Sequence, residues 1–116
     1  MYNPPATIES LISQAEEEHL YFKLIEQVNK DFALANESLD VPTSIFPFEF
    51  KNLVQEKIYK LIQYKFAEYL NLLYIIDVPE KQIKSLDGED TLLLSEQVSF
   101  LILKREWQKV WYRNNY

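Results

Sequence analysis

The chain contains a single glycine, Gly88, among its 116 residues. Glycine enters left-handed backbone conformations without strain, and tight β-hairpins and phosphate-binding loops depend on that freedom. With one glycine, the chain has few ways to connect antiparallel strands or to build a dinucleotide-binding motif. The sequence therefore favours an all-α fold and gives no support to the common nucleotide-dependent enzymes.

Three long segments repeat apolar residues at the spacing of an α-helix. The most continuous is residues 47–76, which is apolar on nearly every side beyond Tyr69, so we expect neighbouring segments to cover it from several directions. A first helix is predicted over residues 7–36, with Thr7 as its N-cap, and a last helix over residues 91–114. The apolar face predicted for the first helix consists of Ile8, Leu11, Ala15, Phe22, Ile25 and Phe32.

Proline, glycine and short polar residues separate these helices. Residues 37–46 are predicted to form a loop, and residues 80–86 a short helix. Gly88 is predicted at the left-handed position that follows the short helix, and Asp90 as the N-cap of the last helix. After an extended lead-in at residues 1–6, we therefore predict one domain, a helical bundle of three long helices and one short helix that uses the whole chain.

The composition is that of a folded protein that does not enter a membrane. Apolar residues make up 47% of the chain and aromatic residues 15%, which is enough to build a core. The absence of cysteine excludes disulfides, thiolate metal sites and cysteine nucleophiles. The first ten residues lack the pattern of a signal peptide, and no run approaches the ~18 apolar residues of a membrane span. We expect a cytoplasmic protein.

Glu16 and His19 are the best candidates for metal chemistry. They stand three residues apart, the spacing at which helical bundles offer a carboxylate and an imidazole to iron or manganese. A dinuclear site uses two such pairs, and His19 is the only histidine, so a site needs two copies of the chain. We keep a carboxylate–histidine metal bundle as a second alternative and predict no cofactor. No residue lies in a catalytic motif, so no enzyme activity is expected.

The last helix ends in basic and aromatic residues, the types that bind phosphates and stack on bases. Nucleic-acid binding there is our first alternative, against an overall net charge of −6. Helical spacing aligns the two tryptophans with Leu103 and Val110, which predicts a core or a protein interface. Arg105 and Lys109 fall on the opposite side of the helix. The interaction candidates are Trp107, Trp111, Tyr112, Arg105, Lys109 and Arg113.

Tyrosines recur at five-residue steps in the second long helix, at positions 59, 64, 69 and 74. Steps of five wind around a helix, so these side chains cannot all face a core. Exposed tyrosine is favoured at protein interfaces because it buries a large area at a low entropy cost. Glu18 and Lys65 interrupt the apolar faces of the first two helices, and we hypothesise an ion pair between them, either between helices of one chain or between subunits.

Residues 57–83 (KIYKLIQYKFAEYLNLLYIIDVPEKQI) and 100–116 (FLILKREWQKVWYRNNY) resemble segments of a small family of short, all-helical hypothetical proteins of Bacteroidetes-type bacteria. The resemblance covers most of the chain and is tied to no functional motif. It implies a bacterial, cytoplasmic origin and supplies no activity and no site residues.

These observations lead to one functional hypothesis. The chain is predicted to be an interaction or structural module that self-associates, as a homodimer, or binds another protein through aromatic helix faces. The aromatic faces considered are those of the later half of the first helix, the second long helix and the last helix.

Overall fold

A computed structural model describes all 116 residues and contains six α-helices and no strand, which confirms the all-α class. The helices are α1 (Ile8–Glu17), α2 (Tyr21–Leu34), α3 (Pro47–Tyr64), α4 (Phe66–Ile76), α5 (Glu80–Lys84) and α6 (Thr91–Asn115). The short helix and the last helix lie where the sequence predicts them. The prediction of three long helices is wrong in detail, because the first and second predicted helices are each broken into two.

The first predicted helix ends at Glu17 and restarts at Tyr21. His19 adopts a left-handed conformation, with φ of 59°. Its N–H donates to the carbonyl oxygen of Glu16 (3.1 Å), and the N–H of Leu20 donates to that of Ala15 (2.8 Å), the pair of bonds that defines a Schellman helix end. The break changes the helical register, so Phe22, predicted to face the core, is exposed instead.

The second predicted helix bends at Lys65, whose φ of −142° and ψ of 61° lie outside the helical region. The N–H of Lys65 still donates to the carbonyl oxygen of Leu61 (2.9 Å), so α4 begins directly where α3 ends. The ammonium group of Lys65 binds the carboxylate of Glu37 at 2.8 Å, which holds the bend against the segment after α2. Residues 47–76 therefore form two helices that differ in direction.

Three helices end at left-handed residues that are not glycine: His19, Asn36 and Asp77, with φ of 59°, 59° and 69°. All three ends carry the two Schellman hydrogen bonds. Gly88 does not have a positive φ, so the prediction of a left-handed conformation there is wrong. The Asp90 prediction is confirmed, because its carboxylate accepts the N–H of Leu93 at 3.1 Å.

The last helix, α6, is the centre of the fold, since it packs against α1, α2, α3 and α4. Its largest side chain, Trp107, is completely buried, and its indole N–H donates to Oε1 of Gln14 in α1 at 3.2 Å. The loop 37–46 covers part of this core through Val41 and Ile45, which are buried, while Phe46 beside them is exposed. None of the six helices is long and apolar enough to cross a membrane.

The left-handed conformation of His19, at the end of α1, predicts how substitutions there change stability. A left-handed conformation costs a side-chain-bearing residue roughly 1–2 kcal/mol, and glycine is free of that cost but is more flexible in the unfolded chain. We expect His19→Gly to raise the free energy of unfolding by about 1 kcal/mol, measured by urea denaturation. His19→Ala, the control, keeps the left-handed cost and should show no gain. Equal stability of the two variants would contradict this role of His19.

Candidate functional site

The aromatic candidates of the C-terminal segment pack within the chain. Trp107 and Trp111 are both buried. Tyr2, in the lead-in, meets Trp111 edge to face with ring centroids 5.4 Å apart, and its ring lies 5.5 Å from that of Tyr112. Tyr116 stacks on Tyr112 at 5.4 Å. The C-terminal aromatic residues therefore pack the start of the chain against α6. The tryptophans belong to the core, which is one of the two outcomes that their spacing predicts.

The three basic candidates have three different environments. Arg105 donates from Nε to the backbone carbonyl oxygen of Asp77 (3.1 Å) and from Nη2 to its carboxylate (3.2 Å), which caps the end of α4. Lys109, which is 18% exposed, turns into a buried cluster of charged side chains between α2 and α6. Arg113 is exposed and forms no ion pair. Arg105 and Lys109 therefore bind groups of the same chain. The three cations do not form one basic surface.

The buried charge cluster consists of Asp31, Glu106, Lys109 and Gln27. Nζ of Lys109 lies 2.8 Å from Oδ2 of Asp31 and 2.8 Å from Oε1 of Glu106. Nε2 of Gln27 donates to the same Asp31 oxygen at 3.0 Å. Glu106 is completely buried, and Gln27 and Asp31 are almost so. The sequence does not reveal this cluster, because charged residues ordinarily lie on the surface and the contact joins two helices that are distant along the chain.

The cluster holds two carboxyl groups but only one ammonium group. Burial, with the hydrogen bond to Asp31, raises the pKa of Glu106 to about 9, although Lys109 acts in the opposite direction. Burial acts to raise the pKa of Asp31 too, but hydrogen bonds from Glu106, Lys109 and Gln27 outweigh it and hold that pKa below its ordinary value. At neutral pH, Glu106 is therefore protonated and Asp31 balances Lys109, so the buried cluster carries no net charge.

The metal candidates, Glu16 and His19, do not share a helical face. His19 lies beyond the end of α1, in the left-handed turn, and both side chains are exposed. No three or more side chains of the histidine, aspartate and glutamate types are placed to hold a metal ion. The structure instead gives His19 a role in ending α1.

The ion pair hypothesised between Glu18 and Lys65 does not form within one chain, and its inter-subunit form stays a prediction. Lys65 binds Oε2 of Glu37 at 2.8 Å, and Lys57 binds Oε1 of the same carboxylate at 3.0 Å. Glu18 is exposed and forms no ion pair. The hydrogen bond from Lys65 is the main reason that the pKa of Glu37 lies below its ordinary value. Glu37 thus joins the segment after α2 to α3, through Lys57, and to the bend itself, through Lys65.

A row of apolar side chains is exposed on the outer side of α4. Phe66, Leu70 and Tyr74 are 54%, 50% and 81% exposed and follow one another at four-residue steps along this helix. A groove of about 380 Å³ runs beside the row, between α4 and α5, and its walls include Val78 and Ile83. The tyrosine prediction is confirmed here, because Tyr69 is buried while positions 64 and 74 are exposed. We call Phe66, Leu70 and Tyr74 the α4 face.

The buried cluster predicts a specific dependence of stability on pH. Because the pKa of Glu106 is about 9 in the folded protein and 4.5 ordinarily, its stabilising effect is complete below about pH 4.5 and is lost as pH rises towards 9. The slope attributable to this one group is at most about 1.4 kcal/mol per pH unit. Glu106→Gln keeps the shape and a donor for Asp31 but cannot ionise.

We therefore expect Glu106→Gln to gain stability relative to the unchanged protein as pH rises from 5 to 9 in urea denaturation series, since the variant lacks the titrating carboxyl group. Glu96→Gln, an exposed glutamate of the same helix, is the matched control and should follow the unchanged protein. Parallel pH curves for Glu106→Gln and the unchanged protein would show that Glu106 is ionised in the folded state.

Comparison with known proteins found no matching family model, no matching curated protein and no matching solved structure. The bacterial resemblance of residues 57–83 and 100–116 and the cytoplasmic location stay predictions. No residue role therefore comes to this chain from a relative.

Proposed function

We propose that this protein is a helical interaction module that self-associates as a homodimer through the α4 face. The observation that supports the proposal is the alignment of three large, exposed apolar side chains, Phe66, Leu70 and Tyr74, in one row beside an apolar groove. Scattered exposed apolar residues are normal on any protein, but a contiguous row is typical of an interaction surface.

The row is suited to pairing with a copy of itself. Leu70 lies at its centre, four residues from Phe66 on one side and four from Tyr74 on the other. When two such helices meet antiparallel about a two-fold axis, Leu70 meets its own copy, and each Phe66 meets a Tyr74. Aromatic pairs of this kind contribute about 0.5–1.5 kcal/mol beyond the area that they bury.

The size of the row sets the expected strength of the dimer. Two aromatic side chains and one leucine, each already partly covered, can bury roughly a few hundred Å² per subunit. This is less than the ~800 Å² per partner of a standard stable interface, although the groove beside α5 can add to it. We therefore propose a reversible dimer whose population depends on concentration, with no catalytic activity and no cofactor as part of the function.

The contacts of the basic residues make nucleic-acid binding the weaker alternative. Arg105 and Lys109 are bound to carboxylates of the same chain, at 3.2 Å and 2.8 Å. Trp107 and Trp111 are buried and offer no face on which a base can stack. Of the C-terminal residues named for this role, Arg113 and Tyr112 keep exposed side chains.

Sedimentation equilibrium over a concentration series tests the dimer. We expect the mean mass to rise from 13.9 kDa towards twice that value with increasing concentration. Leu70→Glu places a charge at the centre of the proposed interface, so its mass should stay at 13.9 kDa over the whole series. Leu92→Glu is the matched control, since Leu92 is 59% exposed but lies on α6, and it should associate like the unchanged protein.

Two results would refute the proposal. One is an unchanged protein that is monomeric at every concentration. The other is a dimer that Leu92→Glu weakens as strongly as Leu70→Glu, because the α4 face would then have no special part in it. Circular dichroism of both variants checks that each remains helical.

A further inference from the structure

A small polar hollow lies where α2 faces the C-terminal end of α6. It is lined by Lys23, Glu26, Gln27, Lys30 and Arg113, and no apolar residue contributes to its surface. Its volume is about 190 Å³. Sites for drug-sized organic ligands are larger, ~300–1,000 Å³, and mostly apolar, so this hollow is suited to a small, strongly hydrated ligand.

The cations of the hollow have no carboxylate partners within the chain. Of twelve lysine and arginine residues, seven lie within 4.0 Å of a carboxylate oxygen. The five that remain are Lys23, Lys30, Lys81, Lys104 and Arg113. Three of these five line the hollow. Lys23 donates to Oδ1 of Asn114 at 2.9 Å but, like Lys30 and Arg113, has no carboxylate partner. In a chain with a net charge of −6, the concentration of such cations in one place favours an anionic ligand.

The hollow also offers hydrogen-bond acceptors. The carboxylate of Glu26 forms no ion pair, although it lies among three cations. Gln27 is 5% exposed and is held by its bond to Asp31, and its Oε1 accepts no hydrogen bond but is shielded from solvent, so Glu26 is the acceptor that a ligand can reach. A fully deprotonated anion has nothing to donate to such acceptors. An anion that keeps an O–H group satisfies both the cations and an acceptor.

We propose that this hollow binds a small protonated oxyanion of the hydrogen phosphate class. Lys23, Lys30 and Arg113 supply the charge-assisted donors, and Glu26 accepts the hydrogen bond from the O–H group of the anion. Lys109 does not line the hollow and does not add to the attraction, because Asp31 balances its charge. The inference is independent of the dimer, since it uses α2 and α6 and not α4.

The proposal separates phosphate from sulfate. The two ions have similar shapes and charges, but sulfate carries no proton near neutral pH and meets Glu26 with charge repulsion alone. We expect hydrogen phosphate to bind more tightly than sulfate to the unchanged protein. In Glu26→Gln the side-chain amide can donate to either anion, so this difference should shrink.

The experiment is a titration with inorganic phosphate, followed by the side-chain amide NMR signals of Gln27, at pH 7 and at an ionic strength held constant with sodium chloride. The expected result is a saturable shift. Lys30→Gln and Arg113→Gln each remove one charge-assisted contact and should weaken the affinity by about tenfold. Lys81→Gln is the matched control, because Lys81 is also exposed and unpaired but lies on α5, and its affinity should be unchanged.

Three outcomes would overturn the proposal. A shift that rises linearly without saturation indicates screening by salt and not a site. Equal losses of affinity in Lys81→Gln and Lys30→Gln indicate attraction to the overall charge. Equal affinities for sulfate and phosphate in the unchanged protein exclude the hydrogen bond to Glu26. The substituted side chains are all exposed, so the fold should persist in each variant.

Discussion

The structure depends on the burial of α6 against four other helices. Where α6 is enclosed, at Glu106 and Lys109, its charged side chains have little access to solvent and must find partners inside the protein. Asp31 of α2 provides the partner, and a proton on Glu106 removes the remaining charge. Such a cluster adds little net stability compared with apolar packing, but loss of one member leaves a buried charge and typically costs about 3–5 kcal/mol. Its effect is to specify how α2 is placed against α6.

The bends of the chain are what allow shorter helices to surround α6. A straight helix over residues 7–36 could follow α6 along one side only, whereas the turn at His19 lets α1 and α2 each make a separate contact with it. The bend at Lys65 does the same for α3 and α4. With one glycine in the chain, the left-handed helix ends are formed by His19, Asn36 and Asp77, and two of these, asparagine and aspartate, are types that tolerate this conformation.

The sequence predicts those features that depend on neighbours along the chain. Periodicity and capping chemistry are local, so the all-α class, the start of α6 at Thr91 and the cap at Asp90 follow from them. The two breaks do not, because histidine and lysine are ordinary helix residues and the break at Lys65 is held by Glu37, 28 positions away. The sequence does not predict the burial of Lys109 for the same reason. Helical spacing shows which residues share a face, but it does not show that the charged faces of two helices meet.

The α4 face is distinguished by the alignment of its residues and not by exposure alone, because Phe48 and Leu53 of α3 and Leu92 of α6 are also exposed. The outer side of α3 carries charged residues, among them the pair Glu56 and Lys60 with 2.8 Å between its charged atoms. On α4, by contrast, the inner side is filled with buried apolar residues, and Glu68 is the only charged residue of the helix. Because solvation alone would favour polar residues on the outer side, the apolar row there is not explained by the fold of a single chain. The second copy proposed above would cover this row and would require no change in the rest of the structure.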